Sequence, residues 1–434
     1  MPETREHPAE HAYFVWAALL LGVTVGLGTW LRAVFVWPAL KGPFIFGYLV
    51  HAHSHVGFFG WVTMALFGVI VRAAAPSPAR RRRLALHAHA LGAASVAALV
   101  AFALRGYDAV SIGISAVHVA LWWAFALPAL RALRAARPAE RRFFRASLVF
   151  LLVAGTATLL PGILLARGVH DPWLKELGVK LFLTPFIGGF LGLGVMGAVH
   201  ARTGGRLASA ALGLTCLGVL PSALLFVAAP PPVPALLGVG RAGSLLLGAG
   251  GVLFAADVLA ARIPGAILRL VGAAAALKGA LEIVASLGLA DPLMHDRSIV
   301  LAYLHLTLLG VITPALALAA FRRRAAASAW VALHALGLAG MCGALVGLGW
   351  PLAARVLAGL GLGIPTLFPI AAAGGAASAV AVLALLREGR SAPHALPRRG
   401  GREAPDAPAP RNAPARAEAV RSDSQLATTP SEAP

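Results

Sequence analysis

The chain has 434 residues, of which 59% are hydrophobic and only 12% are charged, and its mean hydropathy is +0.80. Soluble domains average about 25% charged residues. This composition excludes an ordinary soluble protein and indicates a membrane protein with several spans. The formal net charge of +20 does not indicate a nucleic-acid partner, because the basic residues cluster in short loops between apolar segments. We therefore expect membrane lipid as a partner and no nucleic acid.

Twelve apolar stretches are long enough for membrane-spanning helices, which need roughly 20 residues each. The sequence thus predicts an all-α, polytopic membrane protein with about twelve transmembrane helices over residues 1–386. The change to Pro, Ala, Arg, Ser and Glu from Arg387 onward predicts a disordered cytoplasmic tail at 387–434. The predicted spans are approximately 11–36, 44–71, 84–104, 109–130, 146–166, 174–199, 207–228, 242–261, 264–288, 297–320, 326–349 and 364–386.

The distribution of basic residues predicts the orientation of the chain. Eighteen of the 37 Lys and Arg lie in five alternate connections, at 72–83, 131–145, 202–206, 262–269 and 322–324. Basic residues resist translocation, so these connections are expected to be cytoplasmic. Both termini are then cytoplasmic, as an even number of spans requires. The expected location is the inner (cell) membrane.

Histidines within the spans are the first candidates for a functional site, since ionisable groups in a membrane are costly. His53, His118 and His305 lie eight or nine residues from the predicted outer ends of spans 2, 4 and 10. At 1.5 Å of rise per residue, all three lie roughly 12–14 Å below the outer edge. A shared ligand would explain why distant helices place imidazoles at one level.

The segment VHAHSHVGFFGW at 50–61 carries three histidines at every second position. At about 100° per residue, His51 and His55 share one helix face, while His53 points about 160° away. Either His53 faces the bundle interior and the other two serve a neighbouring site, or the reverse. The i, i+4 pair has the spacing of a two-histidine metal clamp, and zinc needs at least one further ligand. His51, His55 and His118 are therefore candidate metal ligands.

The arrangement resembles subunit I of the haem-copper oxidases and nitric oxide reductases. The stretch GTWLRAVF with Arg32 resembles the family's span 1, and AHSHVGFF resembles its span 2. The resemblance implies that His53 is an axial ligand of a low-spin haem and that Arg32 helps to hold this haem. It also implies that His305 in span 10 is the second axial ligand. Tyr303 replaces the histidine that binds the family's high-spin haem.

Spans 6 and 7 lack histidines in their apolar bodies, where the family has its copper ligands. The resemblance therefore implies that the low-spin haem site is retained and that the gas-reducing site is not. Gly57 and Gly310, close to the proposed ligands, are expected to let helices approach the macrocycle. The expected function is electron transfer, or respiratory or NO-related redox chemistry, by a haem b protein with a redox partner subunit or cytochrome.

Two other functions remain open at this point. In one, the protein is a copper or zinc transporter or metal-handling protein that uses His51, His55 and His118, with the Lys278/Glu282 pair coupling protons. In the other, Tyr303 with His51 or His55 forms a second metal centre beside the haem. The protein would then be an oxidoreductase that reduces a small gas.

Overall fold

The structure, a computed structural model, describes residues 8–136, 138–262, 265–321 and 328–391. Within these ranges the chain is helical and contains no strand. Short helices at 159–166 and 351–359 follow the fifth and eleventh of the longer ones. The longer helices, numbered in chain order, are α1 Pro8–Val36, α2 Phe46–Ala74, α3 Pro78–Arg105, α4 Ala109–Ala132, α5 Pro138–Ala157, α6 Pro172–Thr203, α7 Ala208–Ser222, α8 Ala235–Ala260, α9 Ala266–Ser286, α10 Arg297–Ala320, α11 Ser328–Gly349 and α12 Ile364–Ser391.

Among the described residues, ten helices are long and apolar enough to cross a membrane. The prediction of an all-α polytopic membrane bundle is confirmed, whereas the count of about twelve spans is not. Of the other two predicted spans, α7 has only 15 residues, and α9 carries Arg269, Lys278 and Glu282. The last helix continues past the predicted boundary at 386. The run 322–324 and the predicted tail from 392 onward lie outside the described residues.

Three helices that are four positions apart in the chain, α2, α6 and α10, each contain a π-helical segment. The segments are Val56–Val62, Pro185–Gly192 and Leu306–Ile312. The parts of the three helices that follow these segments pack against one another and form the centre of the bundle. The structure therefore has a regularity that the residue pattern does not reveal.

Aspartates begin three of the even-numbered helices at the ends predicted to face outward. Asp108, Asp171 and Asp296 each accept hydrogen bonds from backbone N–H groups in the first turn of α4, α6 and α10. Such caps satisfy donors that have no partner within the helix. The backbone N–H of Ser111 and the guanidinium of Arg105 hold the pKa of the Asp108 carboxyl below its ordinary value.

Glycines bring α7 and α8 into direct backbone contact. A Cβ atom on Gly218 would lie 2.5 Å from the backbone nitrogen of Leu247 and 2.6 Å from the carbonyl oxygen of Gly243. Membrane helices commonly associate through small residues in this way, since lipid gives no hydrophobic driving force between them.

Replacing Gly218 with alanine is expected to lower the melting temperature of the protein, because the new Cβ pushes α7 away from α8. Gly213 on the same helix has no atom within 4 Å of the corresponding Cβ position. The Gly213→Ala control should be neutral, or should stabilise the helix by up to about 1 kcal/mol through propensity. Thermal unfolding of the purified proteins in detergent measures the difference, and equal melting temperatures would contradict the close packing.

Candidate functional site

A cavity of about 550 Å³ is lined by His53, His305 and Arg32, together with residues of α11 and α12. Its volume is within the roughly 300–1,000 Å³ that is usual for small-molecule and cofactor sites. The rest of its wall is mainly apolar, as such sites typically are. The structure thus brings to one space three residues that the sequence analysis assigns to one ligand.

The cavity lies where α2 and α10 are kept apart. The parts of these helices that follow their π segments pack together, whereas residues before the segments, such as His53 and His305, line the cavity. The indole nitrogen of Trp61 donates a hydrogen bond of 3.2 Å to the hydroxyl of Thr313, and both residues line the cavity wall. This bond links α2 and α10 at the inner end of the cavity. Single π-helical turns are frequent at functional sites.

His305 presents one ring nitrogen as a possible ligand atom. Its Nδ1 lies 2.6 Å from the backbone carbonyl oxygen of Leu301. A carbonyl oxygen only accepts, so Nδ1 carries the proton of the neutral ring and Nε2 is an acceptor. The Nη2 of Arg32 lies 3.4 Å from this Nε2. Histidines that bind metals almost always donate their other N–H to a carbonyl, carboxylate or water.

His53 packs directly on α1 at Gly28. A Cβ on Gly28 would lie 2.8 Å from Cε1 of the imidazole. The Nδ1 of His53 is buried, and although the backbone of Thr24 is next to the ring, Nδ1 makes no hydrogen bond of good geometry to any described residue. An unsatisfied buried polar atom costs about 1–3 kcal/mol. Because Nδ1 has almost no accessible surface, a ligand in the cavity that His53 lines would be bound through Nε2.

Aromatic and cationic side chains surround the cavity where it reaches the helix ends predicted to face outward. The ring of Phe35 stacks on Phe368, with centroids 5.5 Å apart, and meets the edge of Phe46 at 5.1 Å. Arg297, the first residue of α10, lines the same cavity as Arg32. Apolar walls with two guanidinium groups suit a flat apolar ligand that carries carboxylates.

The two glycines predicted to contact a cofactor have different surroundings. Gly57 lines the cavity. Gly310 does not line it: a Cβ there would meet the side chains of Ala274 at 3.0 Å and Leu338 at 3.2 Å. The missing side chain of Gly310 therefore makes room for α9 and α11, and the structure gives no support to the assignment of this residue to a cofactor.

The structure shows which histidines of the segment 50–61 face the cavity, and their directions follow the helical geometry. His53 faces the cavity, whereas His51 and His55 face Tyr107, with ring centroids 4.6 Å and 5.6 Å from it. The ring of His55 stacks on Phe102 at 3.8 Å. Its Nδ1 donates to the carbonyl of His51 at 2.9 Å, and its Nε2 lies 3.4 Å from the Tyr107 hydroxyl.

Two of the three candidate metal ligands, His55 and His118, make contacts of hydrogen-bond type through both ring nitrogens, and the ring of His51 packs on Tyr107. The buried ring of His118 donates from Nδ1 to the carbonyl of Ile114 at 3.1 Å, and its Nε2 lies 3.2 Å from the hydroxyl of Ser95. Throughout the described residues, no group of three or more His, Cys, Asp or Glu side chains could hold a metal ion. The geometry therefore gives no support to a metal site of His51, His55 and His118.

Tyr303, the other candidate for a second metal centre, lies on the side of α10 that faces α9. Its hydroxyl donates to Oε1 of Glu282 at 2.6 Å. The contacts of His51 and His55 are with Tyr107 on another side of the bundle. The structure does not bring these residues together.

Some residues of the site were not found from the sequence. Gly28 had a usable signal, because it precedes Arg32 by four residues and so shares its helix face. The link between Trp61 and Thr313 and the contribution of α12 had no such signal in the sequence, since they depend on how distant helices pack.

Comparison of the chain with protein-family models finds no match, and comparison with curated proteins finds none either.

We expect the purified protein to hold no zinc or copper through His51 and His55, because hydrogen bonds and aromatic contacts already occupy these rings. A double alanine variant at the two positions should leave the metal content unchanged. Elemental analysis of both proteins tests this. Loss of about one metal ion per chain in the variant would contradict it and would favour the transporter hypothesis.

Proposed function

We propose that the protein is an integral membrane haem protein that holds a b-type haem between His53 and His305 and acts in electron transfer. The observation that supports this most directly is the shared cavity, where both imidazoles and Arg32 line one mainly apolar space. The proposal includes a relation to subunit I of the haem-copper oxidases and nitric oxide reductases, which depends on the motifs around Arg32, His53 and His305.

The residues present fit such a group. His53 and His305 supply two imidazoles from different helices, and Gly28 leaves room for the ring of His53. Gly57 lines the cavity, and a Cβ there would meet Thr24 at 3.2 Å. Arg32 and Arg297 line the same cavity and are the candidates to pair with propionates. Arg32 would then move its Nη2 away from the Nε2 of His305, from which it is 3.4 Å distant in this structure. A bound haem supplies reversible one-electron chemistry, whose potential depends on axial ligands, hydrogen bonds and burial.

If His53 and His305 both bound the haem iron, they would favour electron transfer over substrate turnover, because no position on the iron would be left for a substrate. The hydrogen bond from His305 to the Leu301 carbonyl fixes the orientation and tautomer of the ring. Phe58 and Trp61 belong to the apolar wall beside the imidazoles. With the predicted orientation, the site lies in the outer leaflet of the cell membrane. A redox partner would then exchange electrons at that face.

The test is a reduced-minus-oxidised absorption spectrum of protein expressed with haem supplied and purified in detergent. Wild type should show the spectrum of a low-spin haem b. His53→Ala and His305→Ala should each lose most of this signal, because each removes an axial ligand. His55→Ala is the matched control: this histidine is on the same helix as His53 but stacks on Phe102 outside the cavity.

The outcomes separate the hypotheses. A haem spectrum that survives both ligand substitutions would show that haem binds elsewhere. Absence of any haem from wild type would overturn the proposed function.

Gly28→Ala is expected to reduce the haem content several-fold, because the new Cβ would lie 2.8 Å from the ring of His53 and displace it. Gly26→Ala is the control, since no atom lies within 4 Å of a Cβ at that position on the same helix. The ratio of haem absorbance to protein concentration measures the effect. Equal ratios in the two variants would contradict the contact between Gly28 and the ligand histidine.

A further inference from the structure

A second cluster of polar side chains lies on the opposite side of α10 from the cavity. Glu282 on α9 accepts at Oε1 from the ammonium of Lys278 at 2.6 Å and from the hydroxyl of Tyr303 at 2.6 Å. Lys278 also lies 5.7 Å from the centroid of the Tyr303 ring. The ion pair itself follows from the i, i+4 spacing, whereas the contact with Tyr303 is a result of the fold.

Only one of the two oxygens of the Glu282 carboxylate is hydrogen-bonded to its neighbours. The residue is 1% exposed, and Oε2 is buried without a hydrogen-bond partner among the described residues. Both donors approach the same oxygen. A carboxylate has two oxygens that accept, so Oε2 is an available position for a proton. Lys278 and Tyr303 at Oε1 stabilise the ionised form, so a proton binds only when a further negative charge enters this part of the bundle.

The other groups around this part of α9 do not contact Oε2. The hydroxyl of Ser244 on α8 donates to the backbone carbonyl of Glu282, not to its side chain. The elements packed against α9 carry other titratable or charged side chains: Arg241 and Asp257 on α8, Arg297, Tyr303 and His305 on α10, and His334 and Cys342 on α11. Of these, only Tyr303 is hydrogen-bonded to the Glu282 carboxylate in the described contacts. Arg241 pairs with Asp291 at 2.6 Å, and the Sγ of Cys342 lies 3.6 Å from the Ala302 carbonyl.

The cluster is close to the proposed haem ligand along the chain. Tyr303 precedes His305 by two residues, which is about 3 Å of rise along α10. In a medium of low dielectric constant, a change of charge at one site is weakly screened at the other. Glu282 is four residues, or about 6 Å, from the end of α9 at Ser286, so a proton has a short distance to travel from the predicted outer face.

We propose that the Glu282 carboxylate binds a proton when the haem held by His53 and His305 gains an electron. This inference rests on the proposed function. The electron comes from a one-electron donor and converts ferric to ferrous iron, while one proton from water binds to the carboxylate and forms the neutral acid. Charge is thereby balanced within the membrane. Tyr303 and Lys278 position the carboxylate through their hydrogen bonds to Oε1.

The experiment is a potentiometric titration of haem absorbance at a series of pH values. In wild type the midpoint potential should fall with rising pH, with a slope approaching about 59 mV per tenfold change in proton concentration. Glu282→Gln should reduce this slope to less than half. Glu176→Gln is the matched control, because Glu176 forms the same i, i+4 pair with Lys180 at 3.8 Å on α6.

A second measurement covers the case in which Glu282→Gln does not fold. The reduced-minus-oxidised infrared spectrum of wild type should then contain a new band of a protonated carboxyl that shifts in heavy water. A flat pH dependence in wild type, an equal slope in Glu282→Gln, or no carboxyl band on reduction would overturn the proton site and leave the haem assignment intact. Absence of haem from wild type would overturn both.

Discussion

The site depends on the cost of placing imidazoles among apolar side chains inside a membrane bundle. A buried polar atom without a hydrogen-bond partner costs about 1–3 kcal/mol of stability. Most intramembrane histidines of this protein are therefore hydrogen-bonded. His118, His334 and His55 use backbone carbonyls and hydroxyls. His53 and His200 are the exceptions, because the buried Nδ1 of His53 and both ring nitrogens of His200 have no hydrogen-bond partner among the described residues. Of these two histidines, His53 is the one that lines the cavity. It faces the same cavity as the unprotonated Nε2 of His305.

The π segments of α2 and α10 relate this chemistry to the fold. Each segment begins directly after the histidine that ends the first part of its helix, at His55 and His305. Beyond the segments the helices pack together, and before them they line the cavity. The hydrogen bond from Trp61 to Thr313 joins the two helices near the ends of their π segments. The cavity, which has the size of a cofactor, thus lies beside the π segments of α2 and α10 within a packed bundle.

Composition and charge pattern were sufficient to predict the helical membrane bundle. Helical periodicity was sufficient to separate His53 from His51 and His55, since adjacent turns fix their directions. The close contact of Gly28 with His53 and the packing role of Gly310 depend on neighbouring helices and could not be deduced from spacing. The π segment Val56–Val62 consists of Val, Gly, Phe and Trp. This apolar run continues the predicted span without a break, so the local sequence gave no sign of the π geometry.

Electron paramagnetic resonance of the oxidised wild-type protein tests the central claim most directly. Iron held by two imidazoles is six-coordinate, and the account predicts a low-spin ferric signal that disappears when either His53 or His305 is replaced by alanine. A high-spin ferric signal in wild type would show that one of the two histidines does not bind the iron and would contradict the account.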